Sequence, residues 1–145
     1  MNTEEEMDIR RRRVTDIKLT IEEQELRTIL ENLSGLEDFD LVIKKEYNEK
    51  DYGYYYYNRK LIELYVVDEH GDSMDRDTII KAGIHEITHH VIINHSDNEE
   101  EDLHGDAFKE LFAKYMRMYY NGRVPKRLLN EIRREGLNVS SKKKK

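Results

Sequence analysis

Between Asp75 and Asn94 the chain repeats apolar residues at a spacing that only a helix can place on one side. At about 100° per residue, Ile80, Ile84, Ile87 and Val91 fall within an arc of about 60°. Such a stripe must be buried against something, so the rest of the chain has to build around it. Opposite the stripe the same helix carries His85-Glu86-Ile87-Thr88-His89. The two imidazoles lie about 40° apart on the helical wheel, one turn from each other, with Glu86 beside them. Ala82 lies on the histidine side and is small enough to leave room.

Two histidines at this spacing suit a tetrahedral ion, and the glutamate between them suits a general base acting on water at that ion. The chain has no cysteine and six histidines, so a transition-metal site here has to be built from His, Asp or Glu. A catalytic zinc needs a third protein ligand and an open fourth position. His104 is the candidate, because it shares a helical face with Phe108, Leu111, Tyr115 and Tyr119, while Asp106, Lys109, Glu110 and Arg117 occupy the reverse. Its alternative role is a core histidine bonded to a backbone carbonyl. His90, His95 and His70 are weaker candidates: the wheel turns His90 away from the pair and toward Glu86, His95 is near the helix end and His70 is in a turn. Glu99, Glu100 and Glu101 could each supply a carboxylate ligand, but a run of acids between helices reads as a solvated connection.

The rest of the chain reads as one α+β domain over residues 14–137. It is flanked by a basic arm at 1–13 and a basic tail at 138–145 that lack apolar periodicity. Thr20 and Glu23 form a capping-box pattern for a first helix carrying Leu26, Ile29, Leu30 and Leu33, ended by Ser34-Gly35. From Phe39 to Val67, β-branched and aromatic residues predict three short antiparallel strands. Asp75 or Asp77 caps the histidine-bearing helix. A further helix runs from about Leu103 to Asn121-Gly122, and Pro125 opens a short last one.

Charge is uneven. The net value is −6, yet Arg10 to Arg13 and Lys142 to Lys145 are basic, and Asp97 to Asp102 is acidic at all but Asn98. The basic ends could contact phosphates, so nucleic acid is a candidate partner, although charged tails are commonly just solubilising. No apolar run approaches the roughly 20 residues that span a bilayer, and the acidic start is unlike a secretory signal. A soluble, cytoplasmic protein with no membrane partner is expected. The tyrosines at 52 and 54–57 are read as sheet packing rather than as catalytic or base-stacking groups.

His85-Glu86-Ile87-Thr88-His89, followed by His104-Gly105-Asp106-Ala107-Phe108, resembles the SprT-like metallopeptidases, including the Spartan proteases. The resemblance covers roughly residues 15–120. It implies a zincin-like domain in which a small sheet precedes the active helix. It also implies Zn2+ held by His85, His89 and His104, Glu86 as general base, and a protein chain as substrate. The position after the second ligand is His90, where the family usually has a small residue, the connecting loop is acidic, and the Cys-rich zinc module of some members is absent. The expected reaction is peptide-bond hydrolysis, with substrate lying along an exposed strand edge at Leu61 to Val67. Two alternatives stand beside it. One is a metallopeptidase cleaving a specific regulator, resembling the ImmA/IrrE group, whose third ligand is a glutamate; the other is a non-catalytic zinc-stabilised binding module.

Overall fold

The computed structural model describes residues 17–96 and 105–134. The basic arm, the basic tail, the acidic stretch Asp97 to Asp102 and His104 lie outside these residues. The element order is α1 Glu23–Ser34, β1 Asp40–Lys44, β2 Gly53–Tyr56, β3 Leu61–Tyr65, α2 Arg76–His95, α3 Asp106–Tyr119 and α4 Lys126–Arg134. Four helices and a three-stranded sheet give an α+β architecture among the described residues.

α1 ends as expected, with Gly35 in the left-handed region (φ 73°) and its N–H bonded to the Glu31 carbonyl. Its start differs from the capping-box expectation. Glu22 is the N-cap and makes no side-chain cap bond. Thr20 Oγ1 instead donates to the Met74 carbonyl at 2.8 Å, tying the entry of α1 to the entry of α2. Glu23 Oε1 accepts from the Ile43 N–H at 3.2 Å, so it satisfies a donor on β1 rather than one at its own helix end. The local pattern lost to two tertiary partners.

The sheet order is β1-β3-β2, and the expected all-antiparallel sheet is corrected to a mixed one. β2 and β3 form an antiparallel hairpin with Tyr54 opposite Glu63, whereas β1 pairs parallel to β3 with Leu41 beside Ile62. Parallel neighbours need a long crossover, and the segment Lys45 to Lys60, which contains β2 itself, provides one. β3 is therefore central, and the expectation that Leu61 to Val67 forms a substrate-binding edge falls. The edges are β1 and β2. Alternation along the strands puts Leu41, Tyr55, Ile62 and Leu64 on the helix side, and Lys44, Tyr54, Glu63 and Tyr65 on the other.

α2 is the centre of the molecule and touches the sheet, α1, α3 and α4. Asp75 caps it, accepting from the Thr78 N–H. Ile80, Ile84 and Ile87 are fully buried, as their arc predicts, and Val91 is half-buried. Burial extends beyond the stripe to polar residues on both its flanks, Lys81 and Thr88 on one and Glu86 and His90 on the other. Lys81 pairs with Glu131 of α4, and Thr88 Oγ1 donates to the Ile84 carbonyl. Gly83 lets α1 approach closely, since a Cβ there would lie 3.2 Å from Leu26 Cδ1.

α3 begins at Asp106 with Gly105 as its N-cap, and Asn121 (φ 52°) and Gly122 (φ 82°) end it as expected. Its buried face is Phe108, Phe112, Ala113, Tyr115 and Met116; Leu111 and Tyr119, expected inside, are half-buried. α4 follows Pro125, whose carbonyl accepts from the Leu129 N–H, and adds Leu128 and Ile132 to the core. Among the described residues no helix is long and apolar enough to cross a membrane.

Candidate metal centre

His85 and His89 project from consecutive turns of α2, with ring centroids 5.0 Å apart and planes at 67°. Neither ring is fully buried. Phe108, on the first turn of α3, touches both: its centroid is 5.0 Å from His85 and 4.6 Å from His89, and Phe112 lies 5.8 Å from His85. The apolar face of α3 thus backs the two imidazoles. His104, the proposed third ligand, lies outside the described residues, as do Glu99, Glu100 and Glu101. Its chain neighbour Gly105 caps the helix that carries Phe108.

Glu86 is buried on the sheet side of α2, beneath the start of β2. A Cβ placed on Gly53 would touch Glu86 Cγ at 3.4 Å and would lie 2.6 Å from Leu64 Cδ2, so β2 sits directly over the glutamate and close against the central strand's core side chain. Among the described residues β2 is an edge strand, so the strand roofing Glu86 has one side on which no described strand pairs with it. Tyr65 N–H donates to the Tyr52 carbonyl, which makes 52–65 and 54–63 the hydrogen-bonded pairs of the hairpin. By the antiparallel alternation, Gly53 and Tyr55 turn their backbone N–H and C=O groups toward the open edge.

One turn beyond Glu86, α2 places His90 under Tyr55 of the same strand. His90 is fully buried; its Nδ1 lies 2.7 Å from Tyr55 Oη and its Nε2 lies 2.9 Å from Asp38 Oδ1. His95 Nε2 lies 2.7 Å from the other carboxylate oxygen, and the Lys60 ammonium is 3.5 Å from that same oxygen. Burial of Asp38 opposes its ionisation, but hydrogen bonds from His90 and His95 outweigh this and hold its pKa far below the usual carboxylate range. Burial pushes the His90 imidazole below its ordinary value, against the pull of Asp38. The sequence placed His90 beside Glu86, and the wheel was right about the side. It gave no signal for Asp38, which comes from the loop before β1. His70 is exposed, with Glu69 at 3.8 Å, as expected of a turn residue.

The tyrosines divide by face. Tyr55 points at α2, whereas Tyr56 and Tyr65 both donate to Glu63 Oε1 on the outer face, at 3.0 and 2.8 Å. Tyr54 lies edge-on to Tyr65. Sheet packing accounts for these outer rings, as read from the sequence, but Tyr55 also orients a histidine. Lys81 marks a separate polar cleft of about 490 Å³ under α4, lined among others by Tyr52, Asp75, Arg127 and Glu131. Comparison of the chain with protein-family models, curated proteins and solved structures finds no match.

Proposed function

We propose that the chain is a zinc metallopeptidase of the SprT-like, zincin-type kind, cutting protein chains by water attack. The observation that carries this reading is the placement of Glu86: it lies on the helix that bears the two paired imidazoles, beneath an edge strand relieved of its side chain at Gly53. A purely structural metal site has no need of a buried glutamate one residue from its first ligand.

The donor set suits zinc. His85 and His89 present two imidazoles side by side, and His104, adjoining the N-cap of the helix whose Phe108 rests on both rings, supplies the third. Zinc, when bound, supplies Lewis-acid polarisation of the scissile carbonyl and lowers the pKa of water. Glu86 accepts a proton from the attacking water and returns it to the leaving amine. Phe108 and Phe112 hold the imidazoles in position and keep water from their far side. With Leu61 to Val67 central, the substrate edge passes to β2. An extended peptide pairing with the outward backbone groups of Gly53 and Tyr55 would lie across Glu86.

The test is Glu86→Gln in the full chain, assayed on a denatured protein substrate with metal content measured in parallel. Loss of hydrolysis by 10²-fold or more, about the usual worth of a general base, with metal content unchanged, is expected. His85→Gln should lose both activity and one equivalent of zinc. A Glu86→Gln protein that still hydrolyses substrate at the wild-type rate would overturn the reading.

A further inference from the structure

Away from His85 and His89, a second group of metal-ligating side chains converges on one point. Asp38, His90 and His95 each offer one ligand atom, and these atoms all lie within 4.8 Å of one another. We propose that Asp38, His90 and His95 form a second divalent-metal site, for zinc or a similar first-row ion, that clips the last turn of α2 to the loop leading into β1.

The geometry carries the inference in three steps. The two histidines stand to each other almost as the motif pair does: centroids 5.1 Å apart with planes at 69°, against 5.0 Å and 67° for His85 and His89. Both present Nε2 to one carboxylate, at 2.9 Å from Oδ1 and 2.7 Å from Oδ2. Coordination at about 2.0–2.2 Å around a tetrahedral ion would need these contacts to open by about 0.4–0.9 Å, and Asp38 and His95 are exposed enough to move that far.

The two ring nitrogens of His90 give the second step. Tyr55 Oη lies 2.7 Å from Nδ1, with Asn94 Oδ1 2.5 Å from the same hydroxyl, and Asp38 Oδ1 lies 2.9 Å from Nε2. With its hydrogen on Nδ1, directed at Tyr55, the ring would present the Nε2 lone pair to an ion shared with Asp38 and His95, in place of its hydrogen bond to Asp38. Tyr55 is in the position of the outer hydrogen-bond partner that fixes the tautomer of a metal-bound histidine.

In the third step, the surroundings leave an entry path. Side-chain exposure is 40% at Asp38 and 33% at His95, against 0% at His90, so the ion would rest on a buried imidazole and face solvent on its other side. The cation against the carboxylate is the exposed Lys60 ammonium at 3.5 Å from Asp38 Oδ2, on a flexible stem that can withdraw, while the nearby Arg27 guanidinium is held by the Glu37 and Phe39 carbonyls and by Glu31. Asp38 is 52 residues from His90 and 57 from His95, so the ion would close a long loop onto the helix that carries the first site.

The experiment separates this site from the peptidase site. Zinc and cobalt(II) binding is measured as metal per folded chain in wild type, in His85→Gln/His89→Gln, and in that double variant with His95→Gln or Asp38→Asn added. Asp38 and His95 are chosen because both are exposed and leave the buried His90 in place, and circular dichroism checks the fold. Two equivalents in wild type, one in the double variant, and at least tenfold weaker binding of that one after either addition are expected. Tyr55→Phe should weaken it by about 10–100-fold. Zinc should also shift the ring ¹⁵N resonances of His90 and His95 in the double variant. No metal bound by the double variant, or one equivalent indifferent to Asp38→Asn and His95→Gln, would overturn the second site and leave the peptidase reading standing. One equivalent in wild type that survives His85→Gln/His89→Gln but not His95→Gln would establish the second site and sink the peptidase reading instead.

Discussion

Replacing Gly53 by alanine should destabilise the protein, although alanine is ordinarily the better residue in a strand. Gly53 lies outside the left-handed region, so alanine would meet no backbone strain there and would gain about 0.5–1 kcal/mol by restricting the unfolded chain. Against this, its Cβ would lie 2.6 Å from Leu64 Cδ2 and 3.1 Å from the Glu63 carbonyl oxygen, where carbon contacts prefer about 3.5–4.0 Å. Leu64 is fully buried on the central strand, and the carbonyl belongs to the ladder, so neither can yield without moving the core. Overpacking costs about 1–3 kcal/mol, and a contact of 2.6 Å puts this case in the upper half, about 2–3 kcal/mol, which leaves a net loss of about 1–2.5 kcal/mol and a fall in Tm of about 3–10 °C. Gly83→Ala is the control. Its nearest contacts, Leu26 Cδ1 at 3.2 Å and Leu30 Cδ1 at 3.5 Å, are looser than the 2.6 Å at Gly53 and include no backbone atom, and the gain in helix propensity is about 1 kcal/mol, so it should be close to neutral. Urea unfolding of both variants beside wild type measures the difference. A Gly53→Ala protein as stable as wild type would refute the argument that β2 is pressed onto Leu64 and the Glu63 carbonyl.

Glu63→Gln should show a stability loss that depends on pH. Burial opposes ionisation of Glu63, but hydrogen bonds from Tyr65 and Tyr56 and the charge of Lys44 outweigh it, so the folded pKa lies below the ordinary 4.5. The carboxylate therefore stabilises the fold above pH 4.5 and stops doing so as pH falls through the folded value. Unfolding of wild type and variant should differ by about 1 kcal/mol at pH 7 and converge in acid; a gap that stays constant would contradict this. Asp75→Ala removes the cap of α2, bonded to Thr78 and Arg127, and should cost about 0.5–2 kcal/mol by chemical denaturation, with an unchanged midpoint as the contrary result. Phe108→Ala should cost about 3–5 kcal/mol in the metal-free protein and weaken zinc binding as well, because one fully buried ring supports both imidazoles; a loss below about 1 kcal/mol would mean that α3 does not hold the site.

The features legible in the sequence are those set by neighbours along the chain. Gly35, Asp75 and Asn121-Gly122 mark helix ends because caps and left-handed turns are properties of a few consecutive residues. His85 and His89 are side by side, and His90 shares the side of Glu86, because helical geometry alone puts them there. Alternation in Ile62-Glu63-Leu64 fixes which face of β3 is inward, whereas Leu41-Val42-Ile43 is apolar throughout and leaves the inward face of β1 to the tertiary structure.

Partners distant in the chain were decided only by the tertiary structure. Alternation carries no information on strand order or direction, so the parallel β1-β3 pair and the edge position of β2 emerged only when the β2-β3 hairpin was laid beside β1. Thr20 and Glu23 look like a cap because the pattern is local, yet the folded chain offers them Met74 and Ile43. Lys81, Thr88 and His90 are polar residues whose burial no local pattern announces, and they are buried because Glu131, the helix's own carbonyl and Asp38 satisfy them. Helical periodicity can say which side of α2 a residue occupies. Whether that side meets water or a carboxylate more than fifty positions away depends on how the elements close around it.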